Sequence, residues 1–324
     1  MSILDKIVAA VSRIARAIVP TRAVDAIRDA TARRRHARSM VTRDPGFVIW
    51  FRRAILRRKP VLFHFEVQLT DHCNLDCKGC EHFSTLCPPT FADLREFDSD
   101  MEHMSHLFSR VRDIGLLGGE PLLHPQVLEF YKSARSRFPK SRIYLQTNGT
   151  LVMAQNEQFW NALAESRIAL LCDSFTAGVP VVEINAMGKR HKVRVEWTDP
   201  REEFCKVPID LAGGQDASSS FARCRGYKNR PILRNGQLYP CAYVAYADVF
   251  REHFGIAGLQ VYPTDSIGIR YEPDSEQVMS FLRNPVHWCT NCDMDNRSFH
   301  DREHTQRDIS EWTSAAPPAR PAGH

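Results

Sequence analysis

The 324-residue sequence predicts an α/β fold, a parallel sheet that is open or closed into a barrel and carries helices between its strands. Three observations predict it. From residue 61 to residue 200, short apolar strand patterns alternate with helical segments of roughly 10–15 residues, the mark of βαβ units. Three unusual stretches, CNLDCKGC, GGEP and TNG, each follow a predicted strand directly. Parallel α/β sheets place function at the carboxyl ends of their strands, so the position of these stretches agrees with the alternation.

Taken in order, residues 3–40 are expected to be helical, with Ile3, Ile7, Val11, Ile14 and Ile18 along one face and Pro20 interrupting. A second helix is expected over 45–58. Residues 61–70 read as a strand, followed by the first cysteine loop. A helix over 91–111 leads to a strand at 113–117, which ends in Gly118-Gly119-Glu120-Pro121. A helix over 125–138 precedes a strand at 142–146 and the Thr147-Asn148-Gly149 turn. Helix 156–166, strand 167–173, a short helix within 180–188 and strand 192–197 complete the alternation. Residues 201–223 are polar and irregular, a linker or lid. PILRNGQLYPC then reads as a hairpin around Asn235-Gly236. The domain expectation is a basic helical arm at 1–60, a barrel at 61–200, the linker at 201–223, a cysteine-bearing domain at 224–300 and a tail at 301–324.

Charge is uneven. Residues 1–60 hold fifteen Lys and Arg against four Asp and Glu, a net +11, so the remainder of a chain that totals +5 carries −6. The basic arm is a solvated helical extension, or a contact for anionic lipid headgroups, nucleic acid or an acidic partner. No apolar run is long enough to span a bilayer, and no secretory signal is expected. Ten cysteines without a signal point to metal ligation in a reducing cytoplasm and away from disulfides.

Cys73, Cys77 and Cys80 stand at C-x3-C-x2-C spacing on one loop. Three thiolates hold three irons of a cubic four-iron, four-sulfur cluster and leave the fourth iron open to a substrate or cofactor. Zinc sites pair their ligands twice, and here His72 or His82 would have to supply the fourth. The second group is Cys224, then Cys241, then Cys289 and Cys292 as a C-x2-C pair. Four ligands close a site, so this metal would be structural or redox-active, and spacing alone leaves zinc and iron–sulfur equally open.

CNLDCKGC together with GGEP resembles the radical S-adenosylmethionine (radical SAM) superfamily over residues 61–295. The resemblance implies a partial (β/α)6 radical SAM barrel. It implies that the three loop cysteines ligate a cluster whose unique iron is chelated by S-adenosylmethionine. The cluster's electron cleaves that cofactor to a 5′-deoxyadenosyl radical, which takes hydrogen from substrate. Gly118, Gly119 and Glu120 match the motif that meets the cofactor amine, while Asn148 and Ser174 stand where cofactor or substrate is often read. The residue before the third cysteine is commonly aromatic in the family and is Gly79 here. Cysteine, glycine and cysteine around the hairpin match the start of the SPASM extension. The absence of its later cysteines leaves the shorter twitch version, a small C-terminal domain with a β-hairpin and one auxiliary four-iron cluster on Cys224, Cys241, Cys289 and Cys292.

The activity implied is oxidation, epimerisation or dehydration of a sugar, aminocyclitol or sugar-bearing metabolite, with an external flavodoxin- or ferredoxin-type electron donor. The enzyme is expected in the cytoplasm, with peripheral membrane contact through the basic arm as an option and no nucleic-acid partner. Alternatives are a peptide-modifying maturase and a zinc-stabilised binding protein without catalysis. Cys205 lies between barrel and auxiliary parts, where a thiol can return a hydrogen atom to a substrate radical; the competing reading is a small buried hydrophobe. His64, Glu66, Glu196 and Asp210 are candidate general bases.

Overall fold

A computed structural model describes residues 59–199, 203–224 and 230–314. The basic arm expected at 1–60 lies outside the described residues but for its last two. Strands β1 (Val61–Gln68), β2 (Arg110–Leu117), β3 (Arg142–Thr147), β4 (Ile168–Cys172) and β5 (Val195–Trp197) run parallel and neighbour one another in chain order. Helices α1 (Leu94–Leu107), α2 (Val127–Arg137), α3 (Glu157–Glu165) and α4 (Val181–His191) join them, each packed on the next. This is the parallel α/β sheet that the alternation predicts, consistent with the partial barrel that the resemblance implies.

Why the helices begin where they do is local chemistry. Asp93 caps α1 by accepting from the backbone N–H groups of Arg95 and Glu96, and Asn156 caps α3 through Phe159. Helix α1 is shorter than predicted because Phe108 turns extended, and β2 starts three residues earlier than expected, at Arg110. Side-chain alternation then sorts the sheet. Phe65, Val67, Ile114, Leu116, Ile143, Leu145 and Leu170 join the main core with Met101, Phe130 and Trp160 of the helices. The opposite face carries His64, Glu66 and Gln68 on β1, Asp113 on β2, Arg142, Tyr144 and Gln146 on β3, and Glu196 on β5.

On the other side of β1 stands β7 (Ile232–Arg234), a sixth parallel strand, followed by β8 (Gln237–Tyr239) and β9 (Ile267–Gly268) in antiparallel order. The β7–β8 turn is the Asn235-Gly236 hairpin, with both residues at positive φ. Past it lie α6 (Ala242–Ala245), α7 (Ala247–Phe254) and α8 (Ser275–Arg283). A second core gathers Phe83, Tyr243, Phe250, Trp288 and Trp312.

Two regions depart from the sequence expectation. The 201–223 segment contains β6 (Glu203–Lys206) and α5 (Ala217–Arg223), and β6 pairs antiparallel with β10 (Ser298–Asp301). Residues 301–314 belong to the fold, although a tail is expected from 301. Their backbone bonds to the first cysteine loop, and Trp312 is wholly buried in the second core. Residues 315–324 lie outside the described residues. Among the described residues, no helix is long and apolar enough to cross a membrane.

Candidate radical and cluster site

The cysteine loop leaves the carboxyl end of β1 and is pressed against the end of β2. Leu69 N–H donates to Leu117 O at 2.7 Å, Gly119 N–H to Thr70 O at 2.8 Å and Glu120 N–H to His72 O at 3.1 Å. The two glycines are what allow this approach. A Cβ on Gly118 would overlap the Thr70 hydroxyl, and one on Gly119 would overlap the His72 carbonyl and reach Cys73 N at 2.8 Å. The family resemblance implies that these glycines meet a cofactor amine; the structure shows them seating the loop that carries the thiols.

Cys73, Cys77 and Cys80 are close enough to feel one another's charge. Burial, with the neighbouring thiols adding to it, pushes Cys73 up to about 12 and Cys80 up to about 11. Burial also raises Cys77, against the pull of Arg302. Burial raises Cys87 and Cys172 as far, so it is the gathering of three thiols on one short loop, and not their acidity, that suits metal ligation. His72 is turned elsewhere: its Nδ1 accepts from Thr90 N–H at 3.1 Å. His82 packs edge-on to Tyr246. The donor set on the loop is therefore three sulfurs, and it fits a cluster with one iron left open.

Glu120 is fully buried, and its carboxylate ties two strand ends together. It accepts from Leu122 N–H at 3.0 Å, from the Thr147 hydroxyl at 2.8 Å and from Asn148 N–H at 2.9 Å. Burial still pushes it up to about 7. Asn148 in turn reaches the cysteine loop, its Nδ2 donating to Asn74 Oδ1 at 2.9 Å and lying 3.8 Å from Cys73 Sγ. The structure thus brings Gly118, Gly119, Glu120 and Asn148 together with the three cysteines. Ser174 stands at the end of β4, where its N–H donates to the Thr198 hydroxyl at 3.0 Å.

Cys205 does not join them. It is exposed on β6, and strand alternation turns it away from Phe204, which packs against Phe175 and His300. Asp210 folds its own loop, accepting from Ala212 N–H, Gly214 N–H and Gln215 Nε2.

The charged groups of the polar face are engaged with one another. Glu66, buried, meets Arg230 Nε at 2.7 Å and His64 Nε2 at 3.1 Å. Burial works against its ionisation, but Arg230 outweighs this with help from His64 and holds it at about 2. Arg142 meets Glu196 at 2.6 Å and Asp113 at 3.6 Å. Gly115 leaves room for the Tyr144 ring, whose hydroxyl would be 2.8 Å from a Cβ there, and Tyr144 stacks on His64. Gln68 is buried here with neither amide atom hydrogen-bonded.

Cys224, Cys241, Cys289 and Cys292 line one apolar pocket with Trp288 and Met294. Burial raises the last three thiols, Cys289 to about 11, and each is pushed further by charge on others of the four. Among the described residues, no three Cys, His, Asp or Glu side chains converge so as to hold a single metal ion. The four sulfurs are set around a space.

Sequence reasoning misses the cover of the first loop. Residues 298–313 run against residues 76–80: Cys77 and His304 form a β-bridge, Lys78 N–H donates to Glu303 O at 3.0 Å, and Thr305 N–H donates to Asp76 O at 3.0 Å. Lys78 pairs with Glu303, Arg307 with Asp76, and Trp312 Nε1 donates to Cys80 O at 2.9 Å. The one sign of this in the sequence is Trp312 itself, a large aromatic in an otherwise polar tail.

Residues 67–195 match the family model described as the Radical SAM superfamily. Among curated proteins, the GTP 3′,8-cyclase of Microcystis aeruginosa (strain NIES-843 / IAM M-2473) is 30% identical over 102 residues. That match spans 31% of this chain and 31% of the relative, so the chain covers about a third of the curated relative's length. Among solved structures, BtrN in complex with AdoMet and 2-DOIA aligns with 72% of this chain and 94% of its own, at 14% identity and a TM-score of 0.43. The anSMEcpe structure with bound AdoMet covers 43% of each chain, at 18% identity and a TM-score of 0.36.

Proposed function

We propose that the protein is a radical SAM enzyme with two four-iron, four-sulfur clusters that acts on an uncharged, hydroxyl-rich small molecule of carbohydrate type. The observation that carries this reading is one juxtaposition. A three-thiol loop, seated by Gly118 and Gly119, stands at the carboxyl end of a sheet whose polar face has its charges already engaged, Glu66 with Arg230 and Arg142 with Glu196 and Asp113.

Cys73, Cys77 and Cys80 would hold the first cluster, and Cys224, Cys241, Cys289 and Cys292 the second. When bound, the first cluster and S-adenosylmethionine supply one-electron reductive cleavage of the cofactor and hydrogen-atom abstraction from a substrate carbon. The chain's own residues do the rest. Glu120 locks the β2 and β3 ends so that the cysteine loop and Asn148 keep their spacing. With Glu66 paired to Arg230 and Arg142 held between Glu196 and Asp113, these charges are engaged before a guest arrives, so neutral donors and acceptors recognise it, among them Tyr144 and the unpaired Gln68 amide. His64, held against Glu66, is the group on this face placed to take a proton from a substrate hydroxyl. Four thiols around an apolar pocket suit a guest with several metal atoms, one per sulfur.

Two measurements test the reading. Anaerobic reconstitution should give about eight irons and eight sulfides per chain, falling to about four when Cys73, Cys77 and Cys80 are replaced by Ala. Turnover with deuterated sugars and aminocyclitols should carry deuterium into 5′-deoxyadenosine. Zinc with little iron, or cofactor cleavage that persists in the triple Ala variant, would overturn it.

A further inference from the structure

Four exposed cations stand at the starts of four consecutive strands. Arg110 opens β2, Lys140 lies just ahead of β3, Arg167 directly precedes β4, and Lys192 lies just ahead of β5. The parallel register brings these starts to one edge: Val61 of β1 stands beside Arg110, Asp113 beside Arg142, and Ile143 beside Ile168. With neighbouring strands about 4.8 Å apart, the row is roughly 15 Å long. This is the amino edge of the sheet, at the opposite end of the strands from the cysteine loop.

Other basic groups of the edge are engaged within the fold. Arg135 donates to Ser166 O at 2.7 Å and to Ser141 O at 2.9 Å, and Arg137 pairs with Asp98 at 2.7 Å. Arg142 lies between Glu196 and Asp113, and Arg194 and Arg112 meet the same two carboxylates. Among the described residues, Arg110, Lys140, Arg167 and Lys192 have no ion pair. One exposed carboxylate, Glu165, is near them in sequence.

A row of unopposed cations suits an extended anionic surface, since a single phosphate meets one or two of them at a time. Nucleic acid is the poorer match. No exposed aromatic ring lies in these segments for bases to stack on; Phe91, Tyr262, Tyr271 and Phe299 belong to other parts of the chain. The edge is made of short turns between helix ends and strand starts, with no helix or ribbon projecting to enter a groove.

We propose that the amino edge of the sheet, through Arg110, Lys140, Arg167 and Lys192, docks the protein on an anionic lipid surface, with the thiol loop at the far end of the strands turned away from the bilayer. The catalytic reading above is independent of this docking.

The test is co-sedimentation of the full chain with vesicles of equal parts phosphatidylcholine and phosphatidylglycerol, against vesicles of phosphatidylcholine alone. Replacing Arg110, Lys140 and Lys192 together by Gln is expected to weaken binding to the anionic vesicles about tenfold or more, since one cation at such a surface counts for about fivefold. Replacing Arg95, Lys132 and Arg283 by Gln, three exposed cations of other segments, should leave binding near that of the parent. Residues 1–58 are unchanged in every variant, so their contribution is common to all. Equal losses in the two triple variants, or no preference of the parent for the anionic vesicles, overturn the proposal. Binding to RNA that is tighter than to vesicles and is lost in the first variant overturns it as well, and assigns the edge to nucleic acid. Where the first variant does not fold, Arg110→Gln and Lys140→Gln are read singly, and no weakening in either overturns it.

Discussion

The Glu120 carboxylate accepts the backbone N–H of Asn148 at 2.9 Å, across 28 positions of sequence, and this bond joins the ends of two adjacent strands beneath the cysteine loop. Its pH behaviour follows from burial. Glu120 sits at about 7 in the fold against an ordinary 4.5. A raised value means that the folded state keeps the proton longer, so the associated stability is complete below pH 4.5 and is lost as pH rises through 7. For the metal-free protein this slope should amount to about 3 kcal/mol. Glu120→Gln should remove it, which urea unfolding at pH 5 and pH 8 would show.

Glu66 has the opposite sign. Held at about 2, it contributes stability that is complete above 4.5 and lost as pH falls through 2. Arg230→Met leaves the carboxylate buried without its cation. The expected cost near neutral pH is about 2 kcal/mol, below that of a fully enclosed pair because the Arg230 side chain is 35% exposed. In this variant stability should rise on moving from pH 7 to pH 5, and a curve parallel to the parent's would count against the pairing.

Gly119→Ala tests the seating of the thiols. The added methyl meets backbone atoms of His72 and Cys73, which have nowhere to go without moving the loop. A cost of about 1–3 kcal/mol is expected, together with loss of about half the iron after reconstitution. Gly255→Ala is the control, since nothing lies within 4 Å of a Cβ there; strain from its positive φ should appear in stability and not in iron content.

Trp312→Phe removes the indole N–H that donates to Cys80 O and keeps an aromatic ring in the second core. A loss of about 0.5–1.5 kcal/mol is expected, because one of the two hydrogen bonds to the Cys80 carbonyl is removed and the one from Phe83 N–H remains. Iron bound at the first loop should be released faster to a chelator, at unchanged initial stoichiometry. Equal release rates in parent and variant would show that the 298–313 segment does not retain the cluster.

The parallel sheet and its chemistry-bearing strand ends are legible in the sequence because both are local: period-two apolar patterns, capping residues and glycine turns lie within a few residues of one another. The roles of Gly118 and Gly119 are only half legible. Their need to lack a Cβ is apparent, but the neighbour that imposes it, the His72–Cys73 backbone, is 46 positions away from Gly119. The Glu66–Arg230 pair and the Lys78–Glu303 pair, separated by 164 and 225 positions, leave no periodic trace. Residues 301–314 look like a tail because they are polar and hold themselves by backbone bonds to another loop. Cys205 attracts notice by position in the chain, and its strand turns it outward.

The contact between residues 76–80 and 298–313 also sets an order of events during synthesis. The thiols of the first loop leave the ribosome more than 200 residues before the segment that covers them. For that interval the loop is open to whatever delivers iron and sulfide, and it closes only after the second group of cysteines has also emerged. The first-loop thiols can thus be filled while exposed and are covered later, once residues 298–313 have emerged.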